Sequence, residues 1–309
     1  MWDIFLQTLP FFMLIALGYG SGRTGFFSPE ATAYLTKFVF YFALSAMLFR
    51  FSANLSLSAI LDWQFVMAYL AGTTVIYLLA TAVALWRRLP MAEAAVEAQC
   101  AVIGNVGFLG IPMLVLLLGE AAIGAVMMVL AVDLIVFGSL IVILITGSRD
   151  GRMSPKILVT VALGLVKNPM IVAIVLGLTV SAFALPIPRP VNDFLQILGA
   201  AATPGALFAI GASLASKSAE RVTVAGWLSF CKLVLHPAAV AFAALMLFDV
   251  PTYTAGVMIA AAALPVAGNV YILAQHYRVA PQRVSASILI STAASVVTVS
   301  LVIAWVTSL

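Results

Sequence analysis

Charge is what this sequence has least of. Only 8% of its 309 residues are Asp, Glu, Lys or Arg, against roughly 25% in a soluble domain. That shortfall excludes a water-facing surface of ordinary size. Histidine and cysteine are as scarce, two of each, too few for a disulfide framework or a transition-metal site of usual composition. Cys100 and Cys231 both fall inside apolar stretches, as small core residues do. No nucleotide-binding glycine loop, His-Glu metal pattern or nucleophile elbow occurs, so neither an enzyme activity nor a cofactor or metal is expected. No Ser/Pro-rich or low-complexity stretch is left over for a soluble domain.

What fills the chain is apolar. It is 64% hydrophobic with a mean hydropathy of +1.18, the composition of an all-α polytopic membrane protein whose main partner is the lipid bilayer. The net charge of +4 would suggest nucleic acid in a soluble protein. Here the positive residues sit in short loops and read as topology, so no nucleic-acid partner is expected. The first residues carry Asp3 and no Lys or Arg, and no small-residue cleavage site follows the apolar run. The N-terminus therefore reads as a first span rather than a cleavable signal.

About 20 apolar residues cross the hydrocarbon core. Counted that way, the sequence predicts ten transmembrane helices, at roughly 3–20, 29–50, 63–86, 94–118, 121–146, 168–185, 193–215, 222–247, 252–276 and 282–307. Ser28-Pro29-Glu30 is a helix start with a capping serine, proline at the first helical position and an acid in the first turn. Segment 154–167 reads as a short interfacial helix turning into span six at Asn168-Pro169. Odd-numbered loops hold Arg23, Arg87, Arg88, Arg149, Arg152, Lys156, Lys217, Arg221, Arg278 and Arg283; even-numbered ones hold only Arg50 and Arg189. By the positive-inside rule both termini then face the periplasm and the loop at 147–156 faces the cytoplasm. Ten spans divide into 1–146 and 168–309, joined by 147–167. Five spans per half force opposite orientations, so any duplication is a 5+5 inverted repeat.

Two Gly-Asn-Val triplets stand out inside these spans. Gly104-Asn105-Val106 lies in span four with Pro112 after it, and Gly268-Asn269-Val270 lies in span nine with Pro265 before it. Glycine and proline weaken or break a helix, and in lipid the freed backbone groups must find partners in protein or trapped water. One triplet reads as helix-packing glue. Two, in corresponding places of oppositely oriented halves, point to a transporter's substrate site. Broken helices there bring two half-helix N-termini to the midplane, each with a partial positive charge and unpaired N–H donors. The carboxamides of Asn105 and Asn269 add further donors. Such a site suits a carboxylate with no arginine clamp. The proline stands on opposite sides of the two triplets, so the pocket is expected to be asymmetric.

Three ionisable residues also fall deep in spans. Asp133 lies near the middle of span five, a functional candidate by default for proton coupling, with a structural pairing to Lys232 as the alternative. Lys232 and His236 are four apart on span eight and share a helical face. The lysine is a candidate counter-charge and the histidine a candidate proton relay; snorkelling and a backbone contact are their blander roles. Lys37 and Lys167 lie near helix ends and read as snorkelling residues. Glu93 and Glu97 begin span four, favour its N-terminal dipole and carry no expected chemistry.

Gly104-Asn105-Val106-Gly107-Phe108-Leu109-Gly110-Ile111-Pro112, Leu264-Pro265-Val266-Ala267-Gly268-Asn269-Val270, Pro204-Gly205-Ala206-Leu207-Phe208, Lys167-Asn168-Pro169 and Lys232-Leu233-Val234-Leu235-His236-Pro237 together resemble the auxin efflux carrier family, bacterial relatives of the plant PIN transporters. The resemblance covers essentially the whole chain. It implies a ten-helix inverted-repeat fold like that of bile-acid symporters and sodium/proton antiporters, with spans four and nine broken where they cross. It implies a scaffold of spans 1, 2, 6 and 7, usually the homodimer-forming part, and an elevator-like transport domain of spans 3–5 and 8–10. It places Asn105 and Asn269, with Gly104, Gly268, Pro112 and Pro265 around them, at the binding site for a small anion such as malonate, malate or an auxin-like acid. Ser45 stands where the family usually has proline, so span two is expected to be straighter. The expected function is secondary transport of small organic anions across a bacterial inner membrane. The alternatives are a cation/proton antiporter of the same fold, for which only one midplane carboxylate is available, and a non-transporting membrane sensor.

Overall fold

The computed structural model describes residues 2–55, 62–150, 155–216 and 222–309. Among them every named element is helical, and the extended backbone forms one isolated bridge, between Gly104 and Val266. In chain order the helices are α1 (Trp2–Arg23), α2 (Pro29–Ala53), α3 (Trp63–Trp86), α4 (Met91–Val102), α5 (Val106–Leu118), α6 (Ala122–Ser148), α7 (Ile157–Lys167), α8 (Pro169–Ala182), α9 (Arg189–Ala215), α10 (Val222–Leu247), α11 (Thr252–Ala262), α12 (Gly268–Tyr277) and α13 (Pro281–Val306). The expected loop residues Arg152, Lys217 and Arg221 lie outside the described residues.

Among the described residues seven helices are long and apolar enough to cross a bilayer: α1, α2, α3, α6, α9, α10 and α13; α7 and α8 make an eighth if their 68° bend falls within one span. The stretches at 94–118 and 252–276, counted as spans four and nine and expected to be broken, are each interrupted, giving α4 and α5, then α11 and α12. Local chemistry explains the starts. Ser28 Oγ accepts the Ala31 N–H at 3.2 Å ahead of Pro29. Asp62 Oδ1 takes the amides of Gln64 and Phe65 at the head of α3, and Asn168 Oδ1 takes that of Met170 at the head of α8. Each satisfies donors that a helix leaves unpaired in its first turn.

Several long helices contain a wider π turn: Val39–Ala43 in α2, Asp133–Phe137 in α6, and Cys231–Leu235 and Ala243–Leu247 in α10. Such turns recur at functional sites because they displace one residue from the α-helical register. Span two, expected to be straighter for want of a proline, is one continuous helix that contains such a turn. The Ser45 hydroxyl donates to the Phe40 carbonyl at 3.1 Å and occupies an acceptor of the widened turn.

Two assemblies emerge from the packing. In one, α1 lies along the second half of α9, and α8 and the first half of α9 lie on Leu44–Ala53 of α2. Gly18 and Gly211 permit the α1–α9 contact: a Cβ on either would run into the backbone of the other helix, at Phe208 and Ile15 respectively. Small residues bring membrane helices close enough for dispersion forces to hold them, since lipid is as apolar as leucine. In the second assembly α3 packs on α4 and α10, α10 on α13, and α11 on α6 and α10.

Candidate functional site

The two interruptions meet. Helix α4 stops at Val102, Ile103 is extended (φ −80°, ψ 112°), and α5 starts after Asn105 (φ −77°, ψ 54°). Helix α11 stops at Ala262 and the chain runs to Ala267 (φ −73°, ψ 142°) before α12. The exposed ends pair antiparallel: Asn105 N–H donates to Pro265 O at 2.8 Å and Ala267 N–H to Ile103 O at 3.0 Å. Val106 N–H turns back to Gly104 O at 2.8 Å, and Val266 N–H donates to Ser291 Oγ of α13 at 3.1 Å. Backbone groups freed by the breaks are thus satisfied inside the protein, as a low-dielectric interior requires. Pro265 has no N–H to satisfy and serves as an acceptor only. A side chain at Gly104 would crowd this junction, with its Cβ 3.2 Å from Ala261 O and 3.3 Å from Lys232 Nζ.

A cavity of about 60 Å³ opens at the junction, far below the roughly 300–1,000 Å³ of drug-sized sites. Gly104, Asn105, Gly268 and Asn269 line it, with Asp133 beside them. The first turns of α5 and α12 both face it through Gly107 and Asn269, so two helix N-termini with their positive dipole ends converge there. The side chain of Asn105 makes no capping bond, which leaves its carboxamide for the cavity. The first assembly supplies the opposite wall: Phe40 of α2, Asn168, and Met170 of α8. Phe40 stacks on Phe108 of α5 with centroids 6.3 Å apart and planes 13° from parallel. The glycine at 107 leaves room for Met170, whose Cε would lie 2.8 Å from a Cβ placed there. Neither Pro112 nor Pro265 lines the cavity; Pro112 sits in the first turn of Ile111–Leu118, and Pro265 contributes its carbonyl. A larger cavity of about 440 Å³ between Leu117, Tyr253 and Val306 has no charged side chain in its walls.

Asp133 opens the π turn of α6 and is buried. Tyr69 Oη of α3 donates to its Oδ1 at 2.8 Å, and its Oδ2 has no partner. Its hydrogen-bond partner is therefore Tyr69; among the described residues no lysine or arginine nitrogen lies within 4.0 Å of the carboxylate, and Lys232 acts on it through space. Lys232, fully buried in the π turn of α10, donates through Nζ to the carbonyl of Ala262, the last residue of α11. That arrangement places a cation on the negative end of a half-helix. Lys232 Nζ is also 3.3 Å from His236 Nδ1, and His236 Nε2 is 3.0 Å from Thr73 Oγ1. The Tyr69 and His236 rings meet edge to face at 6.0 Å. Asp133 thus lines the cavity, whereas Lys232 and His236 stand behind the junction.

Sequence reasoning passed over Tyr69, Thr73, Ser291, Phe40 and Met170. A signal existed for the first two, polar groups four apart on one helical face. None existed for the others, which are ordinary residues until neighbouring helices bring them in. It also undervalued Glu97. That carboxylate is 1% exposed and takes Arg283 Nη1 at 2.6 Å and Arg87 Nη1 at 2.8 Å, while Arg283 Nη2 reaches Glu93 at 3.1 Å. Arg87 and Arg283 are accordingly more than markers of topology. They join the α3–α4 corner to the head of α13.

A family model described as a membrane transport protein matches residues 3–303. The chain is 31% identical over 301 residues to a Rhizobium meliloti (strain 1021) protein named "Putative malonate transporter", covering 94% of this chain and 92% of that one. It is 26% identical over 304 residues to "Uncharacterized transporter YfdV" of Escherichia coli (strain K12), covering 95% and 94%.

Proposed function

This chain belongs to the membrane transport protein family, the auxin efflux carriers, and we propose that it carries a small organic carboxylate across the membrane, bound between Asn105 and Asn269. Family and relatives are transporters and not enzymes, and the chain is a multi-pass membrane transporter. The observation that carries the substrate reading is the cavity at the paired interruptions. It combines two helix N-termini, the three carboxamides of Asn105, Asn168 and Asn269, and no arginine or lysine in its lining. Such a site stabilises an anion through backbone dipoles, worth up to ~2 kcal/mol per terminus in a partly buried setting. Its small volume favours a short acid, and the malonate in the name of one relative agrees.

In this reading α4 with α5 and α11 with α12 are the fourth and ninth of ten spans, broken where they cross in a 5+5 inverted repeat (1–146 and 168–309). The assembly of α1, α2, α8 and α9 is the scaffold, in a homodimer at the inner membrane with both termini periplasmic. The remaining helices move past it as an elevator. The cavity supports this division because its walls come from both groups: Phe40 and Met170 from one, Asn105, Asp133 and Asn269 from the other. Sliding one wall past the other would open the cavity. Asp133, with one carboxylate oxygen unpartnered beside the cavity, is the candidate for proton coupling. A cation antiporter fits less well, since Asp133 is the one acidic residue of the described lining.

Uptake and counterflow of malonate in proteoliposomes test the proposal. Asn105→Ala and Asn269→Ala each remove a hydrogen bond to a charged ligand, about 1.5–3 kcal/mol, or roughly ten- to hundredfold in affinity. Protein that still assembles in the membrane but loses uptake supports the site. Undiminished uptake by both variants refutes it. Binding without counterflow would instead identify a sensor.

A further inference from the structure

The cavity has two chemically different ends. Donors make one: the first-turn N–H groups of α5 and α12 and the amide groups of Asn105 and Asn269. The other is an acceptor. Asp133 lines the cavity at 4% exposure, and its Oδ2 is buried without a partner while Oδ1 takes the Tyr69 hydroxyl. A fully ionised carboxylate ligand consists of acceptors only. It satisfies the first end and sets like charges against each other at the second, where a low dielectric magnifies repulsion.

Lys232 acts on Asp133 through space, but no neighbouring group gives Oδ2 a hydrogen bond. Tyr69 of α3 is engaged at Oδ1. His236 of α10 meets the ring of Tyr69 and turns its nitrogens to Thr73 and Lys232. The Lys232 ammonium is held by the Ala262 carbonyl. Asn269 Oδ1 is also buried and unpartnered, but a carboxamide can rotate to present its NH₂ instead. An ionised carboxylate, unlike a carboxamide, has no donor to rotate into place, so the acceptor end belongs to Asp133 in its ionised form.

Resting on the transport reading above, we propose that the bound species is a short dicarboxylate monoanion, its carboxylate against the two helix N-termini and its carboxylic O–H donated to Asp133 Oδ2. The proton arrives on the ligand and is shared across a carboxyl–carboxylate contact; binding neither creates nor releases one. Asp133 then determines specificity, selecting an anion that carries a donor at its far end.

Calorimetric binding to the purified full chain in nanodiscs tests this with malonate, its half-amide and its methyl half-ester. Both derivatives are fixed monoanions, but the half-amide keeps N–H donors and the half-ester has none. The wild type should bind the half-amide at least about 10-fold more tightly than the half-ester, the cost of leaving a buried charged acceptor unpaired. Asp133→Asn offers a donor at the same point and should bring the two affinities together, which also excludes the bulk of the ester methyl as the cause. Affinity for the half-amide should stay level as pH rises, while affinity for malonate falls as its second carboxyl ionises. Equal binding of half-amide and half-ester by the wild type overturns the inference and leaves the transport reading standing. Discrimination that survives in Asp133→Asn places the acceptor elsewhere and also overturns it. Should none of the three ligands bind and malonate uptake be absent, both readings fall.

Discussion

Asn105 donates its backbone N–H to the carbonyl of Pro265 at 2.8 Å, so the first interruption is held by the second. Asn105 carries a side chain that lines the cavity, and Pro265 prevents α11 from running on into α12. Neither segment can settle into its broken form alone without stranding polar backbone in an apolar interior. The pair folds as a unit.

Ser291 completes that unit, because its hydroxyl accepts the Val266 N–H at 3.1 Å. Ser291→Ala leaves a buried donor unpaired and should cost about 1–3 kcal/mol. Thermal unfolding of the purified protein reads the loss directly. A midpoint equal to wild type would show that the second interruption is stable without α13.

The buried ion cluster predicts a sharper contrast. Glu97→Gln leaves Arg283 and Arg87 to share Glu93, and Arg283 Nε already lacks a partner. Removing one member of a buried ion pair costs about 3–5 kcal/mol. Arg189→Gln breaks only the 3.7 Å pair with Asp193, whose side chains are 93% and 55% exposed, and should leave the unfolding midpoint unchanged. Equal effects of the two substitutions would remove the cluster's claim to hold the α3–α4 corner on α13.

Met170 sets the depth of the cavity. Met170→Ala should enlarge it and raise uptake of succinate relative to malonate, by roughly 10-fold or more for the added methylene. Gly107→Ala works in the opposite sense: its Cβ lies 2.8 Å from Met170 Cε, pushes the flexible thioether into the cavity and should depress uptake of both acids. Competition between the two acids in proteoliposomes gives the ratio. An unaltered ratio in Met170→Ala would show that this wall does not measure the ligand.

Local chemistry made much of this legible. Gly104 and Pro265 mark where helices are interrupted, and Gly268 where one resumes, because a missing side chain or a missing N–H acts on its own segment, whatever lies nearby. Ser28, Asp62 and Asn168 cap helices for the same reason. Asp133 was visible as a charge in an apolar run, but its partner was not. Lys232 was the reasonable guess from charge alone; the hydroxyl of Tyr69, 64 positions away, holds the carboxylate instead. Glu97 looked like a helix-start acid because nothing local announces that Arg283, 186 positions on, will close over it.

The sequence by itself determined an all-helical multi-pass membrane transporter, its family, and the positions of its helix interruptions. Hydropathy and backbone chemistry are additive along the chain and need no partner. Tertiary structure alone decided what the interruptions meet. It paired Gly104 with Val266 across 162 positions, turned Lys232 onto the end of α11, and left one oxygen of Asp133 unpartnered beside two helix N-termini. Hydrogen bonds and ion pairs fall off within a few ångströms, so their partners are chosen by which helices touch, and a linear sequence does not state that.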